Sequence, residues 1–146
     1  MSNIDIIRKF YSLPRITSDD RRELLEMFHE DGYYVGVGKE SARGRDAIER
    51  LFRKYEASGR GITSLKFDIR HIAENGNAVL VDMVDTFVVN GKEFSGVWSV
   101  VFEIENGKIR FWQEHYDVAK FEQLYAKGIP VTESTSGSVR ASAGTT

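Results

Sequence analysis

The chain of 146 residues contains no cysteine. This absence excludes a disulfide framework, a thiolate metal site and a cysteine nucleophile. No run of about 18 apolar residues is present, so no segment is expected to span a membrane. The N-terminal residues also lack the short apolar core of a secretory signal. We therefore expect a cytoplasmic protein that does not bind membranes.

The chain also has no excess of positive charge, since the net charge is −2 and the basic residues are interleaved with acidic ones. Phosphate binding needs clustered positive charge, so nucleic acid is not an expected partner. The hydrophobic share of 41% and the charged share of 29% are ordinary for a globular protein. The length suits a single domain with one core.

Three Asn-Gly pairs are the most specific structural signal in the chain. This dipeptide tolerates the positive φ angles of tight hairpin turns. The residues around the three pairs alternate between apolar and polar, as strands do. The pattern predicts four sequential antiparallel strands over residues 63–73, 78–89, 94–104 and 108–116, joined at Asn75-Gly76, Asn90-Gly91 and Asn106-Gly107.

Apolar residues at helical spacing occur before and after this meander. This spacing predicts helices over 3–12, from Ser18 as N-cap to about Asp31, from Asp46 to about Gly59, and over 118–126, with a short strand over 33–38. We expect one domain over 1–130. Residues 131–146 are mainly Ser, Thr, Gly and Ala, a composition that predicts a disordered tail.

Asp85 interrupts an otherwise apolar strand face that includes Val81, Met83 and Phe87. A carboxylate on an inward face is costly unless it is hydrogen-bonded or neutral, and desolvation raises its pKa. Asp85 is therefore a candidate general acid or base. A structural aspartate paired with a buried hydroxyl, or a bulge that turns it outward, is the alternative.

The last strand has two possible inward faces. One carries Trp112, Glu114 and Tyr116, and the other carries Phe111 and His115. Periodicity alone does not choose between them. If the first face is inward, Glu114 can pair with Asp85, and two close carboxyl groups push their pKa values apart. If the second face is inward, His115 is the polar group of the site.

The chain has three histidines at positions 29, 71 and 115, without a recognisable metal-ligand spacing. We therefore expect neither a metal nor another cofactor. His71 shares strand parity with Phe67 and Ile69, so it is either a core histidine or part of the pocket. His29 ends an amphipathic segment and is expected at the surface.

Several stretches together carry a family resemblance. They are residues 28–34 (FHEDGYY), 44–48 (GRDAI), 81–87 (VDMVDTF), 101–102 with 107–109, and 111–117 (FWQEHYD). On these stretches the chain resembles the limonene-epoxide-hydrolase and SnoaL-like cyclase group of the nuclear-transport-factor-2-like (NTF2-like) superfamily. The resemblance implies an α+β cone, in which a curved antiparallel sheet wraps around N-terminal helices and encloses an apolar pocket.

The resemblance also implies site residues. It places the catalytic carboxylates at Asp85 and Glu114 and a water-positioning tyrosine at Tyr34. The arginine that bridges the two acids in the family is replaced here by Met83, and the asparagine that helps to hold the water is replaced by Gly36. Proton transfer without a bound water, as in isomerisation, cyclisation or elimination, is therefore expected beside epoxide opening.

The expected function is that of a cofactor-independent acid–base enzyme acting on a small apolar organic molecule. A non-catalytic small-ligand binder is the alternative. The ending Glu-His-Tyr-Asp over 114–117 keeps His115 among the catalytic candidates. The pocket is expected to be lined by Tyr33, Met83, Phe87, Trp98, Trp112 and His71. A homodimer is expected through the outer sheet face, which carries Val84, Val88, Val97 and Val101.

Overall fold

The computed structural model describes residues 1–37, 40–56, 62–89, 91–120 and 123, so the predicted tail lies outside the described residues. The α+β prediction is confirmed. Within these described ranges, six strands form one open sheet in the order β2-β1-β6-β5-β4-β3. The elements are α1 (Asn3–Ser12), α2 (Arg21–Glu26), β1 (Phe28–Val35), β2 (Ser41–Arg43), α3 (Arg45–Glu56), β3 (Ile62–Asn75), β4 (Ala78–Val89), β5 (Lys92–Glu105) and β6 (Lys108–His115).

The predicted meander is confirmed. Strands β3 to β6 pair with their sequence neighbours in antiparallel register. Gly76, Gly91 and Gly107 have φ angles of 62°, 75° and 76°, as tight hairpin turns require. Of the last predicted helix, residues 118–120 and 123 are helical, and its other residues lie outside the described part of the chain.

The segment after Leu25 differs from the prediction. Helix α2 ends at Glu26, and β1 begins at Phe28, where a helix as far as Asp31 was expected. The backbone N–H of Ile109 donates to the carbonyl of Met27 at 2.9 Å, and Phe28 pairs with Ile109. Tertiary pairing therefore overrides the local helical pattern. This β1–β6 contact is parallel, so the sheet is mixed.

The helix α1 packs on the inner face of the sheet through aromatic side chains. Phe10 is fully buried, and its ring centroid lies 5.7 Å from Phe28, 5.5 Å from Phe102 and 5.3 Å from Trp112, each in edge-to-face geometry. These contacts fix the distance between α1 and the sheet. No helix in the described ranges is long and apolar enough to cross a membrane.

A fully buried arginine joins the helices to the segment between α1 and α2. The guanidinium of Arg21 lies 2.8 Å from Glu49 and 2.7 Å from Glu56, both on α3. Its Nη1 also donates to the carbonyl oxygens of Arg15 at 3.1 Å and of Ile16 at 2.8 Å. A buried cation needs such compensation, and the result is a fixed backbone at Arg15.

Candidate active site

A cavity of about 130 Å³ lies between the inner face of the sheet and the helices. Most of its wall is apolar and aromatic, with two carboxylic acids on the sheet and one arginine from the helical side. Its lining residues are Tyr11, Arg15, Tyr34, Glu40, Leu51, Phe52, Ile62, Leu65, Phe67, Asp85, Phe87, Trp98, Trp112, Glu114 and Tyr116. Such a wall suits a small organic ligand.

Asp85 points into this cavity from the middle of β4. It is only 5% exposed, and its Oδ1 has no hydrogen-bond partner among the residues that the structure describes. Burial, and after it the charge of Glu114, raise the pKa of Asp85 to about 8 against the opposing charge of Arg15. Asp85 is therefore largely protonated at neutral pH, and a protonated carboxyl can donate a proton.

The backbone opposite Asp85 makes room for the surrounding rings. Asp85 pairs with Gly96 on β5. A Cβ at Gly96 would lie 3.1 Å from the Trp98 ring and 3.4 Å from the Phe94 ring. Because Gly96 has no side chain, the rings of Trp98 and Phe94 can pack against β5 next to Asp85. This packing accounts for part of the desolvation of Asp85.

Glu114 faces the same cavity from β6. Its Oε1 accepts a hydrogen bond of 2.8 Å from the hydroxyl of Tyr34 on β1. The pKa of Glu114 is raised to about 7, because burial outweighs the lowering by the Tyr34 hydrogen bond and the charge of Arg15. Burial, and after it the charge of Glu114 and the hydrogen bond to it, raise the pKa of Tyr34, so its phenol stays protonated and donates. Glu114 is thus the more easily ionised of the two acids.

Glu40 and the Tyr34 hydroxyl both lie close to Gly36, the residue that stands where the resemblance implied an asparagine. A Cβ on Gly36 would come within 2.9 Å of the Tyr34 hydroxyl and 3.2 Å of Glu40 Oε1. The space above Gly36 is thus taken up by Glu40 and Tyr34. Together with Glu114, they put three oxygen-bearing side chains around one corner of the cavity.

Arg15 is the cation of the site, and sequence reasoning missed it. Its side chain is 6% exposed, with Cζ 4.6 Å from the Phe10 centroid and 4.7 Å from the Phe67 centroid. Its Nη2 donates to the carbonyl of Phe10. Burial lowers the pKa of Arg15 to about 10, so it remains charged at neutral pH. The only sequence signal was an arginine in the apolar stretch Leu13-Pro14-Arg15-Ile16.

Six of the predicted site residues line the cavity: Asp85, Glu114, Tyr34, Phe87, Trp98 and Trp112. The face of β6 that periodicity left open is thereby decided, because Trp112 and Glu114 point inward. Two predicted pocket residues are placed elsewhere. Tyr33 lies on the opposite face of β1, against Phe111 and under Arg43. Met83 is fully buried in the core and does not line the cavity.

Both histidine candidates lie outside the cavity. A β-bulge between Ile69 and His71 reverses the alternation of β3, so that Ile72 takes the inward position and His71 is exposed. His115 is exposed as well, because Glu114 occupies the inward face. In the described ranges, no three His, Asp or Glu side chains are grouped to hold a metal ion.

Sequence reasoning also missed Tyr11 and Glu40. Tyr11 follows Ile4 and Ile7 at helical spacing, which marks it as inward-facing but not as part of a site. Glu40 lies on the connection between β1 and β2, where no local pattern indicates burial or direction. Both residues reach the cavity through tertiary packing.

The sequence of this chain matches a known family over most of its length. The family model of the SnoaL-like domain matches residues 7–112. The chain belongs to the SnoaL-like domain family. Among curated proteins, it is 27% identical over 89 residues to epoxide hydrolase EphG of Mycobacterium tuberculosis, which covers 61% of this chain. The match spans 57% of the length of that relative.

Solved structures of SnoaL-like and NTF2-like proteins share the fold. An LEH-like epoxide hydrolase of M. tuberculosis superposes with a TM-score of 0.66 at 24% identity, covering 86% of this chain and 90% of the other. An NTF2-like protein of unknown function from Burkholderia pseudomallei gives 0.72 at 18% identity, covering 86% and 99%. At these identities the likeness establishes the cone-shaped fold alone.

The raised pKa of Asp85 predicts a pH-dependent stability difference. The folded protein retains a proton on Asp85 that the unfolded chain loses near pH 4, so this group destabilises the fold progressively as the pH rises towards 8. Asp85→Asn removes that loss. The free energy of unfolding is measured by urea denaturation for the variant and the parent protein. The variant's value should rise relative to the parent's between pH 4 and 8, by up to about 1.4 kcal/mol per pH unit.

Above the folded-state pKa of Asp85, the two stability curves should run parallel again. The comparison is made with the same protein preparation and salt concentration at each pH. Parallel curves over the whole range from pH 4 to 8 would contradict the raised pKa.

Proposed function

We propose that the protein is a cofactor-independent acid–base enzyme that opens a small, mostly apolar epoxide. The observation that carries the proposal is the pair of carboxyl groups in one apolar cavity. Asp85 has an unpartnered buried oxygen, and Glu114 is held by the Tyr34 hydroxyl at 2.8 Å. Two carboxyls with separated protonation states supply a general acid and a general base. The match to epoxide hydrolase EphG supports the same reaction class.

The proposed reaction divides the work between the two acids. Ionised Glu114 accepts a proton from a water molecule, whose oxygen attacks one epoxide carbon. As the carbon–oxygen bond of the ring breaks, protonated Asp85 donates its proton to the leaving epoxide oxygen. The product is a diol, and the cycle closes when Glu114 loses a proton to solvent and Asp85 regains one.

Arg15 and Glu40 support hydrolysis, although Met83 and Gly36 replace the arginine and asparagine of the family. The positive charge of Arg15 lowers the pKa of both acids, which is the effect expected of the arginine that Met83 replaces. Glu40 takes up the space beside Tyr34 that Gly36 leaves. It offers a carboxylate acceptor to a water that also contacts Glu114. Isomerisation of the same substrate would use the acid pair without that water.

Removing either acid should strongly reduce turnover while the fold persists. Positioned acid–base groups contribute about 10²–10⁴-fold in rate, so Asp85→Asn and Glu114→Gln should each lower kcat by that factor on an epoxide that the parent hydrolyses. Asp82→Asn is the matched control. Asp82 is on the same strand but pairs with Arg70 at 2.8 Å outside the cavity, and its change should leave kcat unaltered.

Circular dichroism and thermal unfolding of each variant show whether the fold is kept. Full turnover by folded Asp85→Asn would rule out its role as the acid. If the parent protein binds an apolar ligand but turns over no epoxide, a non-catalytic binding function is favoured instead.

We also propose that two copies associate through the outer face of the sheet. Leu80 and Val97 are 45% and 50% exposed, large values for apolar side chains. Leu80 pairs with Val101 and Val97 pairs with Val84, so two apolar pairs lie on the outer face, on either side of the Asp82–Ser99 pair. Exposed patches of this kind mark association surfaces.

A charge at Val97 on this outer face should separate the two copies. Sedimentation velocity of the parent over a range of concentrations is expected to show a dimer, and Val97→Asp is expected to sediment as a monomer. Arg22→Asp, an exposed change on α2, is the control and should leave the dimer intact. A parent protein that stays monomeric at high concentration would contradict the proposal.

A further inference from the structure

The unpartnered buried polar atoms are concentrated at the cavity. In the described part of the chain, four buried side-chain nitrogen or oxygen atoms lack a hydrogen-bond partner: Tyr11 Oη, Arg15 Nε, Asp85 Oδ1 and Trp112 Nε1. All four residues line the cavity. A buried polar atom without a partner is costly, and most are paired in folded proteins. Their coincidence around one cavity indicates a ligand that pairs with them.

Three of these four atoms are hydrogen-bond donors. The phenol of Tyr11, the Nε–H of Arg15 and the indole N–H of Trp112 belong to side chains that are 8%, 6% and 5% exposed. Tyr11 keeps its proton, because burial and the two nearby carboxyls raise its pKa well above the usual value. The proposed reaction uses Asp85, Glu114 and the charge of Arg15, but it assigns no hydrogen bond to these three donors.

Tyr11 and Arg15 come from one side of the cavity. Tyr11 is in the last turn of α1, and the Cζ of Arg15 lies 5.4 Å from the Tyr11 ring centroid. The carbonyl of Arg15 is held by Arg21, so its backbone cannot shift freely to satisfy the Nε–H elsewhere. Trp112 completes the group from β6 on the sheet.

We propose that Tyr11, Arg15 and Trp112 form a subsite for an acceptor oxygen of the substrate other than the oxygen that reacts. The substrate is then an oxygenated molecule, such as a keto-epoxide, and not a plain hydrocarbon epoxide. This proposal rests on the proposed function and specifies the substrate class of that site.

The charges around the cavity favour a neutral oxygen over an anionic one. Arg15 contributes one positive charge, which ionised Glu114 already balances across the cavity. The carboxyl of Glu40 faces the same space. A ligand carboxylate would add a further negative charge to a poorly solvated site, whereas a ketone oxygen accepts the same hydrogen bonds without that cost.

A pair of ligands of equal shape tests the subsite directly. Cyclohexanone and methylenecyclohexane differ in that only the first offers an acceptor oxygen. Titration calorimetry or tryptophan fluorescence should show that the parent protein binds the ketone about tenfold more tightly, as two neutral hydrogen bonds allow. No preference for the ketone in the parent, including binding of neither ligand, would overturn the proposal.

Tyr11→Phe removes one unpartnered oxygen and little else. It should weaken ketone binding about three- to tenfold, leave the binding of methylenecyclohexane unchanged, and leave the melting temperature equal or higher. A merely structural role for the hydroxyl predicts the opposite, namely a lower melting temperature with unchanged ketone preference. Tyr33→Phe, the same change on the outer face of β1, is the matched control and should alter neither affinity.

Failure of this subsite and failure of the proposed reaction give different results. A ketone preference that Tyr11→Phe reduces, in a protein without epoxide turnover, would keep the subsite and reject the acid–base role. Hydrolysis of plain hydrocarbon epoxides without any ketone preference would keep the reaction and reject the subsite.

Discussion

Asp85 and Glu114 are held in a cavity where water solvates them poorly, and the cost of that burial shapes the rest of the site. Desolvation raises the pKa of Asp85 to about 8 and that of Glu114 to about 7. The charge of Arg15 and the hydrogen bond from Tyr34 limit this rise for Glu114. The outcome is one protonated and one ionisable carboxyl at neutral pH, which is the condition that acid–base chemistry requires.

The fold keeps this arrangement in place from two directions. The meander places Asp85 on β4 and Glu114 on β6, with Gly96 on the strand between them. From the helical side, Arg21 binds the backbone of the segment that carries Arg15 and ties it to α3. Arg21, the buried arginine that joins the helices, thus also positions Arg15, the cation of the site.

Much of the fold could be predicted from the sequence, because turns and alternation are local signals. The Asn-Gly pairs located the hairpins, and period two placed Asp85 on the inner face. The inward face of β6 came from resemblance, since aromatic residues occupy both of its faces. His71 was misplaced because a bulge leaves no local signal, and Arg15 was missed because its burial depends on packing against Phe10 and Phe67.

The central claim is that the acid pair activates water against an epoxide. The most direct measurement is incubation of the protein with a panel of small apolar and keto-substituted epoxides in oxygen-18 water, followed by mass spectrometry of the products. The account predicts a diol that carries one oxygen-18 atom, with Glu114→Gln forming none. An isomer or ring-closed product without label would contradict it, and would show that the pair transfers protons without activating water.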